Sequence, residues 1–413
     1  MINWRHTKLG NLVKFKAGTG FPKHLQGERH GSLPFAKVSD MNRAGNEVTL
    51  SFAENHITEQ QARDLRAYVH QPGSVAFAKI GVALTSNRRR QITRPIVLDN
   101  NMMSAEPIGE YVDETYNYYL LSTLDFNEIS AGSALPYLTV GSLKDIDVTI
   151  PTLKEQVRIA ATLGALDDKI ELNRKMAATL EEMARALYRS WFVDFDPVHA
   201  RSQGLPPARM DQTTAALFPD SFGDDGLPEG WELGTIGDLA KITSGKRPPV
   251  KVTKADDENN VPVYGGNGIA WFTNETLFTD RLLVTGRVGT LGTVFRIYNP
   301  CWVSDNALCL FPHDANCYEY LYFVTAEVDF QSLNSGSTQP LLTQTNLKSQ
   351  PAIKAPSDVL REFHLLASKL FEQRQNLELQ NQTLATLRDT LLPRLMSGEL
   401  RVGEAREQVE EVV

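Results

Sequence analysis

The sequence predicts an α+β fold in which two repeated, mostly β modules are separated by a long coiled coil. Two observations predict it. The second half of the chain repeats the first, and a long stretch with helical periodicity follows each copy. In addition, 413 residues exceed what one hydrophobic core usually organises, which favours at least two modules.

The repeat is visible as residue types that recur at a fixed spacing. Near the start of the chain the spacing is 227 residues, and it pairs Trp4/Trp231, Gly10/Gly237, Leu12/Leu239, Lys14/Lys241, Gly18/Gly245 and Pro22/Pro249. Further along, Gly81 parallels Gly289, and "LDNNM" at Asp99 parallels "SDNAL" at Asp305. The segments "LPYLTVGSLKDI" and "QPLLTQTNLKSQ" then match. One module is therefore used twice, at residues 1–150 and 231–355.

Each module is rich in Gly, Pro, Asn and β-branched residues, and short alternating stretches such as "SVAFAKI" and "GTVFRIY" are separated by turn signals. This pattern predicts mostly β structure with a few short helices. The segment at 194–230 contains Pro and acidic turns and is longer than a simple connector. We expect it to be an ordered crossover into the second module.

Two long helices are predicted, at 151–193 and within 356–413. From Lys154 to Phe192 there is no Pro and one Gly, Gly164. Apolar residues recur at alternating spacings of four and three in both stretches, which is typical of a coiled-coil seam and predicts that the helices pair. Each seam contains one Asn, Asn173 or Asn381. These either fix the register from a buried position or lie at the wet edge of the seam.

Charge is distributed unevenly along the chain. The net charge is -8, yet residues 1–94 carry 15 Lys/Arg against 6 Asp/Glu, while residues 95–150 carry 1 against 9. Three cysteines lack the spacing of a zinc site or a disulfide framework. There is no signal peptide at the start and no apolar run long enough for a membrane span, so we expect a cytoplasmic protein with buried thiols.

Cationic side chains in corresponding turns are candidate phosphate ligands. The loop "AGTGFPKH" contains Lys23, with Gly18 and Gly20 for close backbone approach, and its counterpart "TSGKRPPVK" contains Lys246, Arg247 and Lys251. Lys79 and Arg287 precede the paired glycines. In "TSNRRRQ", Arg88, Arg89 and Arg90 could line phosphates or reach guanine edges, or could simply form a solvated loop.

The order of motifs resembles the specificity subunit of type I restriction-modification systems. It runs through a module, "IPTLKEQVRIAATLGALDDKIELNRK", "LYRSWFVDFDPV", "LPEGWELGTIGDLA", a second module and "LRDTLLPRLMSGEL". The resemblance covers essentially the whole chain. It implies that the modules are target recognition domains separated by a long antiparallel coiled coil in a pseudo-twofold arrangement. It also implies that each module reads one half of a bipartite DNA site and that the coiled coil sets the gap between the halves.

The resemblance also implies partners: double-stranded DNA, two methyltransferase subunits docked on the helices, and translocase-nuclease subunits for phage defence. S-adenosylmethionine would then belong to the methyltransferase partner, and ATP and Mg to the translocase-nuclease partner. For this chain itself the expectation is no cofactor, no metal ligands and no catalytic residues. It would be a non-catalytic subunit of a restriction endonuclease and adenine DNA methyltransferase.

The sequence also contains a segment that imitates the motifs of another functional class. "VTGRVGTLGTVF" followed by "NPCW" imitates a glycine-rich cofactor loop with a methyltransferase motif, but Cys301 replaces the second Pro and the first copy has no counterpart. There is no phosphate-binding G-x-x-x-x-G-K-[ST] loop either. The alternative from another class is a protein-binding adaptor with paired β modules on a helical scaffold, and a fused methyltransferase is the third hypothesis.

Overall fold

The computed structural model describes residues 4–132, 135–336 and 339–412. The chain divides into two compact units. The first comprises Met1–Lys175 and Leu377–Val413, and the second comprises Met176–Asn376. Each unit contains one β-rich module and a stretch of each long helix.

The first module begins with strands and short helices in the following order: β1 (Arg5–Lys8), β2 (Val13–Ala17), β3 (Leu33–Ala36), β4 (Thr49–Leu50), β5 (Asn55–Ile57), α1 (Glu59–Asp64), β6 (Val69–His70), β7 (Val75–Ala78), α2 (Val82–Thr85), β8 (Arg89–Ile92), β9 (Ile96–Leu98), β10 (Met102–Pro107), α3 (Glu114–Thr123), α4 (Val140–Lys144) and β11 (Asp147–Ile150). The long helix α5 (Leu153–Phe192) follows, and then the crossover with α6 (Asp196–Ser202) and α7 (Gln212–Ala215).

The second module continues with β12 (Glu232–Thr235), α8 (Ile236–Leu239), β13 (Ala240–Ser244), β14 (Val261–Gly265), β15 (Gly268–Thr273), β16 (Leu282–Gly286), β17 (Val294–Ile297), β18 (Trp302–Val303), β19 (Ala307–Pro312), α9 (Tyr318–Ala326), α10 (Gln344–Lys348) and β20 (Pro351–Lys354). The chain ends with the long helix α11 (Ser357–Ser397) and the short helix α12 (Val402–Glu410).

The two modules share one sheet topology. The main sheet has the order β2-β10-β7-β8-β4 in the first and β13-β19-β16-β17 in the second, so its first four strands correspond. A parallel pair, β3 with β9 and β14 with β18, carries an antiparallel neighbour in each case, β5 and β15. The first and last strands of each module pair as β1-β11 and β12-β20. The predicted α+β fold with repeated, mostly β modules is confirmed.

One detail of the sequence repeat is wrong by one residue. The sequence pairs Asp99 with Asp305, but the backbone hydrogen bonds pair Asp99 with Ser304. Met102 N donates to Asp99 O in the first module, and Ala307 N donates to Ser304 O in the second. Both bonds close the turn that leads into the strand beside β2 or β13, so the turn geometry and not the Asp-Asn match fixes the alignment.

The helical stretches pair in antiparallel fashion within each unit. In the first unit Asn173 Nδ2 donates to Gln380 Oε1 at 3.3 Å, and Asp167 pairs with Arg388 at 2.6 Å. In the second unit Glu181 pairs with Arg374 at 3.5 Å. Residue numbers rise on one helix as they fall on the other, which is the antiparallel arrangement that the family resemblance implies.

The two seam asparagines differ in their surroundings. Asn173 is 1% exposed and its amide is bound by Gln380, which favours the register-fixing interpretation. Asn381 is partly buried, and its Oδ1 has no hydrogen-bond partner among the described residues. The two residues therefore do not have the same role.

Helix α11 continues through Pro393 to Ser397. Pro393 cannot donate its backbone nitrogen to the helix, and an interior Pro costs about 3 kcal/mol. Leu395 and Met396 are nevertheless buried in the core of the first unit, together with Val402 and Ala405 of α12. Burial of these apolar side chains offsets the cost and keeps the last turn helical.

The crossover is ordered, as the sequence predicts. Val198 and Phe218 are buried within the core of the second unit, next to Trp191 and Trp231. Trp191 contacts Phe218 edge-on, with ring centroids 5.0 Å apart. Among the described residues, none of the helices combines the length and apolar character that a bilayer crossing requires.

Candidate nucleic-acid interface

Four loops of the first module lie together at one end of the strands of its main sheet, and we refer to this end as an edge. Strands β2 and β7 end at this edge, and β10, which is antiparallel to both, begins there. Lys79 N donates to Asn101 O at 2.8 Å, and Leu138 N donates to Lys79 O at 2.9 Å. We call this edge the first rim; it consists of residues 18–20, 79–88, 98–102 and 135–140.

The second module has the same edge with the same backbone bonds. Arg287 N donates to Asn306 O at 2.8 Å, and Leu342 N donates to Arg287 O at 2.8 Å. We call it the second rim; it consists of residues 245–247, 286–290, 303–307 and 339–344. Lys79 and Arg287 therefore occupy one backbone position in two copies of the fold, directly after a central strand.

The paired glycines have structural roles that the sequence does not specify. A Cβ on Gly18 would lie 1.9 Å from Asp99 O, and one on Gly245 would lie 2.3 Å from Ser304 O. The close backbone approach predicted for Gly18 is thus made to the module's own chain. A Cβ on Gly20 meets no atom within 4 Å.

The second glycine pair shapes the loop after the central strand. Gly81 and Gly289 have φ angles of 77° and 83°, a region that other residues rarely adopt. Their amides donate to Pro136 O and Pro340 O at 2.8 and 3.0 Å. These bonds attach the loop after the central strand to the loop before α4 or α10.

Five of the nine predicted cations are solvent-exposed: Lys23, Arg88, Lys246, Arg247 and Lys251. Lys79 and Arg287 are partly buried at the rims. Arg287 Nη1 donates to Ser244 Oγ at 3.4 Å, and the amide of Gln344 lies 2.9 Å from the same hydroxyl. Lys251 lies over the ring of Trp271, 4.2 Å from its centroid.

The arginine triplet separates into three environments. Arg89 is 4% exposed, its guanidinium lies 3.5 Å from the ring centroid of Phe126, and its Nη2 donates to Leu124 O. Burial lowers the pKa of Arg89 to about 9. Strand β8 turns this side chain inward, because Arg89 pairs with Phe77 of the central strand. Arg89 therefore has a packing role, and its buried guanidinium is not available for a phosphate contact.

Arg90 is also held by its own module. Its Nη2 donates to Met41 O at 2.9 Å and its Nη1 to Arg89 O at 2.7 Å, and burial lowers its pKa. Arg88 alone of the triplet is exposed, at the end of the first rim. Sequence reasoning could not separate the three, because adjacent arginines carry no sign of which one a strand turns inward.

Sequence reasoning missed an apolar cluster on the first rim. Val82, Leu135, Tyr137 and Val140 are all exposed. They are held together because Gly81 is bonded to Pro136 and Ile80 bridges to Tyr137. The sequence signal for this cluster is the presence of large apolar residues in "ALPYLTV", among small and polar residues.

The glycine-rich segment that imitates a cofactor loop is part of the second rim. A Cβ on Gly286 would lie 1.9 Å from Thr290 O, so the backbone of this turn closes on itself. Cys301 and Trp302 of the "NPCW" segment are buried at strand β18. Among the described residues, no group of three or more His, Cys, Asp or Glu could hold a metal ion.

The helical stretches also expose apolar side chains. In the first unit these are Leu153, Val157, Leu172 and Leu379, and in the second Met176, Met183, Leu365 and Leu366. They do not belong to the core of either unit. Exposed apolar clusters on helices commonly mark protein contacts.

Comparisons with known proteins agree with this architecture. A family described as type I restriction modification DNA specificity domain matches residues 1–182 and 228–385. The type I restriction enzyme MjaIX specificity subunit of Methanocaldococcus jannaschii is 26% identical over 97% of this chain and 94% of its own length. The HindI specificity subunit of Haemophilus influenzae is 27% identical over 74% of this chain and 81% of its own.

A solved structure shares the fold. The crystal structure of a type I restriction-modification system S subunit from M. genitalium gives a TM-score of 0.58 at 16% identity. The match covers 95% of this chain and 96% of that one.

Proposed function

Because this chain belongs to the family of type I restriction-modification DNA specificity subunits, we propose that each of its two modules reads one half of a bipartite DNA site through its rim. One observation carries the proposal. Lys79 and Arg287 occupy the same backbone position in both modules, each after a central strand and each with matching amide bonds. A repeated cation at a repeated edge fits a repeated ligand such as a DNA backbone.

Exposed cations extend the rims. Arg88 lies at the end of the first rim, and Lys246 and Arg247 lie on the second. We assign these residues, with Lys79 and Arg287, to phosphate contacts. Lys23 and Lys251 are exposed beside the same loops and would add to the field that attracts DNA.

The paired helices would set the gap between the half-sites and dock two methyltransferase subunits. The exposed apolar side chains of the helical stretches support docking, since Leu172 and Leu379 of the first unit and Met183 and Leu365 of the second are not used within the chain's own cores. S-adenosylmethionine would belong to the methyltransferase subunits, and ATP and Mg to translocase-nuclease subunits. The chain itself would supply recognition and assembly, without a catalytic step.

Salt dependence of DNA binding tests the rims. The chain assembled with its methyltransferase subunits is titrated with duplex DNA that carries its site, at several salt concentrations. Each lost phosphate contact should lower the slope of log affinity against log salt by about 0.9. Lys79→Ala, Arg88→Ala and Arg287→Ala should each flatten the slope, whereas Arg406→Ala, an exposed cation on α12, should not. Unchanged slopes for all three rim variants would remove the rims from the interface.

Exchange of one module tests half-site reading. Replacing residues 232–340 with the corresponding segment of a related chain should change one half of the methylated motif and leave the other. Methylome sequencing of cells that express the chimaera reads out both halves. A change in both halves would contradict independent reading.

An insertion tests the gap. Four residues added after Thr179 and four after Gln375 lengthen both helices by about 6 Å, at 1.5 Å per residue. With about 3.4 Å per base pair, the unread gap should grow by one or two base pairs. Intact methylation at the original spacing would show that the helices do not determine the gap.

A further inference from the structure

The apolar cluster of the first rim is exposed to an unusual degree. Val82 is 84% exposed, Leu135 58%, Tyr137 43% and Val140 37%. Single exposed apolar residues are common, but here four lie on two loops that are joined by backbone bonds. Val82 is the first residue of α2 and directly follows Gly81, whose φ is 77°.

The second rim has polar residues at three of the four corresponding positions. The matched glycines and prolines pair Val82 with Thr290, Leu135 with Gln339 and Val140 with Gln344, while Tyr137 corresponds to the partly buried Leu341. The backbone bonds of Gly81 to Pro136 and of Gly289 to Pro340 are the same. One framework therefore presents four apolar side chains on the first rim and one, with three hydrogen-bonding side chains, on the second.

We propose that the apolar cluster of the first rim, centred on Val82 and Leu135, is a base-reading surface that contacts thymine 5-methyl groups in the half-site of the first module. The inference rests on the proposed function. The 5-methyl of thymine is the apolar group that a base pair presents in the major groove. On the second rim, Thr290 and Gln339 offer hydrogen-bonding side chains at the corresponding positions, while the amide of Gln344 is bonded to Ser244.

The surroundings of the cluster favour DNA over a protein partner. Lys79 precedes it in the same loop, and Arg88 follows it. The carboxylate of Asp99 on this rim is turned inward: Asp99 is 8% exposed and its Oδ1 accepts from Asn101 N at 2.7 Å. An apolar surface between two cations, with the neighbouring carboxylate withdrawn, matches bases between phosphates.

Replacement of thymine by deoxyuridine tests the proposal, because it removes only the 5-methyl group. The methylome first gives the motif, and each thymine of both half-sites and their complements is then replaced in turn. Binding by the assembled methyltransferase is measured at each position. Loss of one buried methyl should weaken binding about fourfold. At least one position should respond in the half-site whose binding also depends on Lys79.

Substitutions copied from the second rim complete the test. Val82→Thr and Leu135→Gln should abolish the response to deoxyuridine, since the apolar contact is then already absent. Phe52→Gln, which alters an exposed apolar residue of the same module outside the rim, should retain it. Wild-type binding that is indifferent to deoxyuridine throughout that half-site overturns the inference.

Two further outcomes are distinguishable. Failure of Val82→Thr or Leu135→Gln to assemble with methyltransferase subunits, measured by size-exclusion chromatography, would make the cluster a protein contact and overturn the inference. If the wild-type complex binds its methylated motif no better than random duplex, the proposed function itself fails. Retained specific binding without a thymine response refutes the inference alone.

Discussion

The two modules hold their helical stretches by opposite chemistry at one equivalent position. In the first unit Asp167 of α5 is buried, accepts from Tyr119 Oη at 2.7 Å and pairs with Arg388 Nη1 at 2.6 Å. The corresponding residues of the second unit are Phe371 of α11 and Phe323 of α9, whose ring centroids lie 5.8 Å apart. A buried ionic cluster and an aromatic contact thus serve the same fold.

In the second unit the buried charge next to the aromatic contact is that of Arg296 in β17. Its Cζ lies over the ring of Phe371, 3.1 Å from the ring centroid, and its Nη2 is 3.8 Å from the buried Glu319 Oε1. Burial lowers the pKa of Arg296 to about 10. The comparison teaches that the repeat preserves shape and backbone bonding at this contact, while polarity is free to change if every buried charge retains a partner.

Removing the aromatic contact should have the largest effect. Phe371→Ala deletes a buried ring and uncovers Arg296, and we expect it to destabilise the second unit by about 3–5 kcal/mol. Hydrogen exchange of the α9 amides measures the opening free energy of that unit separately from the first. Phe371→Leu, which keeps most of the volume, is the matched control and should cost less. Equal protection in all three proteins would contradict the packing role.

Breaking the ionic cluster should have the next largest effect. Asp167→Ala leaves Tyr119 Oη without this acceptor and leaves Arg388 with its exposed partner Asp389. Loss of the hydrogen bonds to the charged carboxylate should cost about 2–3 kcal/mol. The exchange of α3 amides in the first unit reports it. Adding Tyr119→Phe and Arg388→Ala to Asp167→Phe copies the second unit and should recover much of the loss. No recovery would mean that the two contacts are not interchangeable.

Removing one hydrogen bond should have a smaller effect. Tyr119→Phe keeps the ring and its packing, while Asp167 retains Arg388. The expected loss is about 1–2 kcal/mol, typical for a hydrogen bond to a charged group. Urea unfolding of the first unit, monitored by hydrogen exchange of the α3 amides, measures this loss of stability. A loss as large as that of Asp167→Ala would indicate that the tyrosine, and not the arginine, holds the carboxylate.

The smallest effect should be a pH dependence confined to the second unit. His364 Nδ1 contacts Glu319, and this hydrogen bond raises the pKa of His364 against the opposing effect of burial. A raised folded-state pKa stabilises below the unfolded value of about 6.5, and the stabilisation is lost as pH rises through the folded-state pKa. Stability of the second unit should therefore fall above about pH 6.5, and His364→Gln should remove the slope.

The first unit provides the internal control for that experiment. Its buried His70 has a pKa lowered to about 4 by burial, followed by the effect of Lys16, so it does not titrate in this window. Exchange of the α3 amides should be flat between about pH 6.5 and 8 once intrinsic rates are corrected. A parallel fall in both units would assign the pH dependence to some other group.

The architecture was predictable because it follows from local sequence patterns. Recurring residues such as Trp4 and Trp231 expose the repeat, and the spacing of Ile159, Leu163 and Leu166 exposes the seam. These signals depend on identity and spacing alone. Polar contacts between the long helix α5 and the first module were not predictable, since nothing in the sequence indicates that Tyr119 Oη donates to the carboxylate of Asp167.

The candidate interface was predictable only in part, for a similar reason. Lys79 and Arg287 could be paired because glycines mark their loops. Arg89 could not be excluded, since its burial depends on pairing with Phe77 in a neighbouring strand. The exposure of Val82 and Leu135 was not predictable, because apolar side chains are usually buried and only the fold shows that these two face solvent.

The backbone contacts at Gly18 and Gly245 have a consequence for engineering. At either position a side chain would collide with a carbonyl of the adjoining strand turn, so the place where the next loop leaves the sheet is fixed. The segments that follow run up to β3 and β14, which are themselves paired with β9 and β18. A graft cut just after either glycine would therefore leave the sheet at the same point, and in the first segment it would have to retain the buried Leu25.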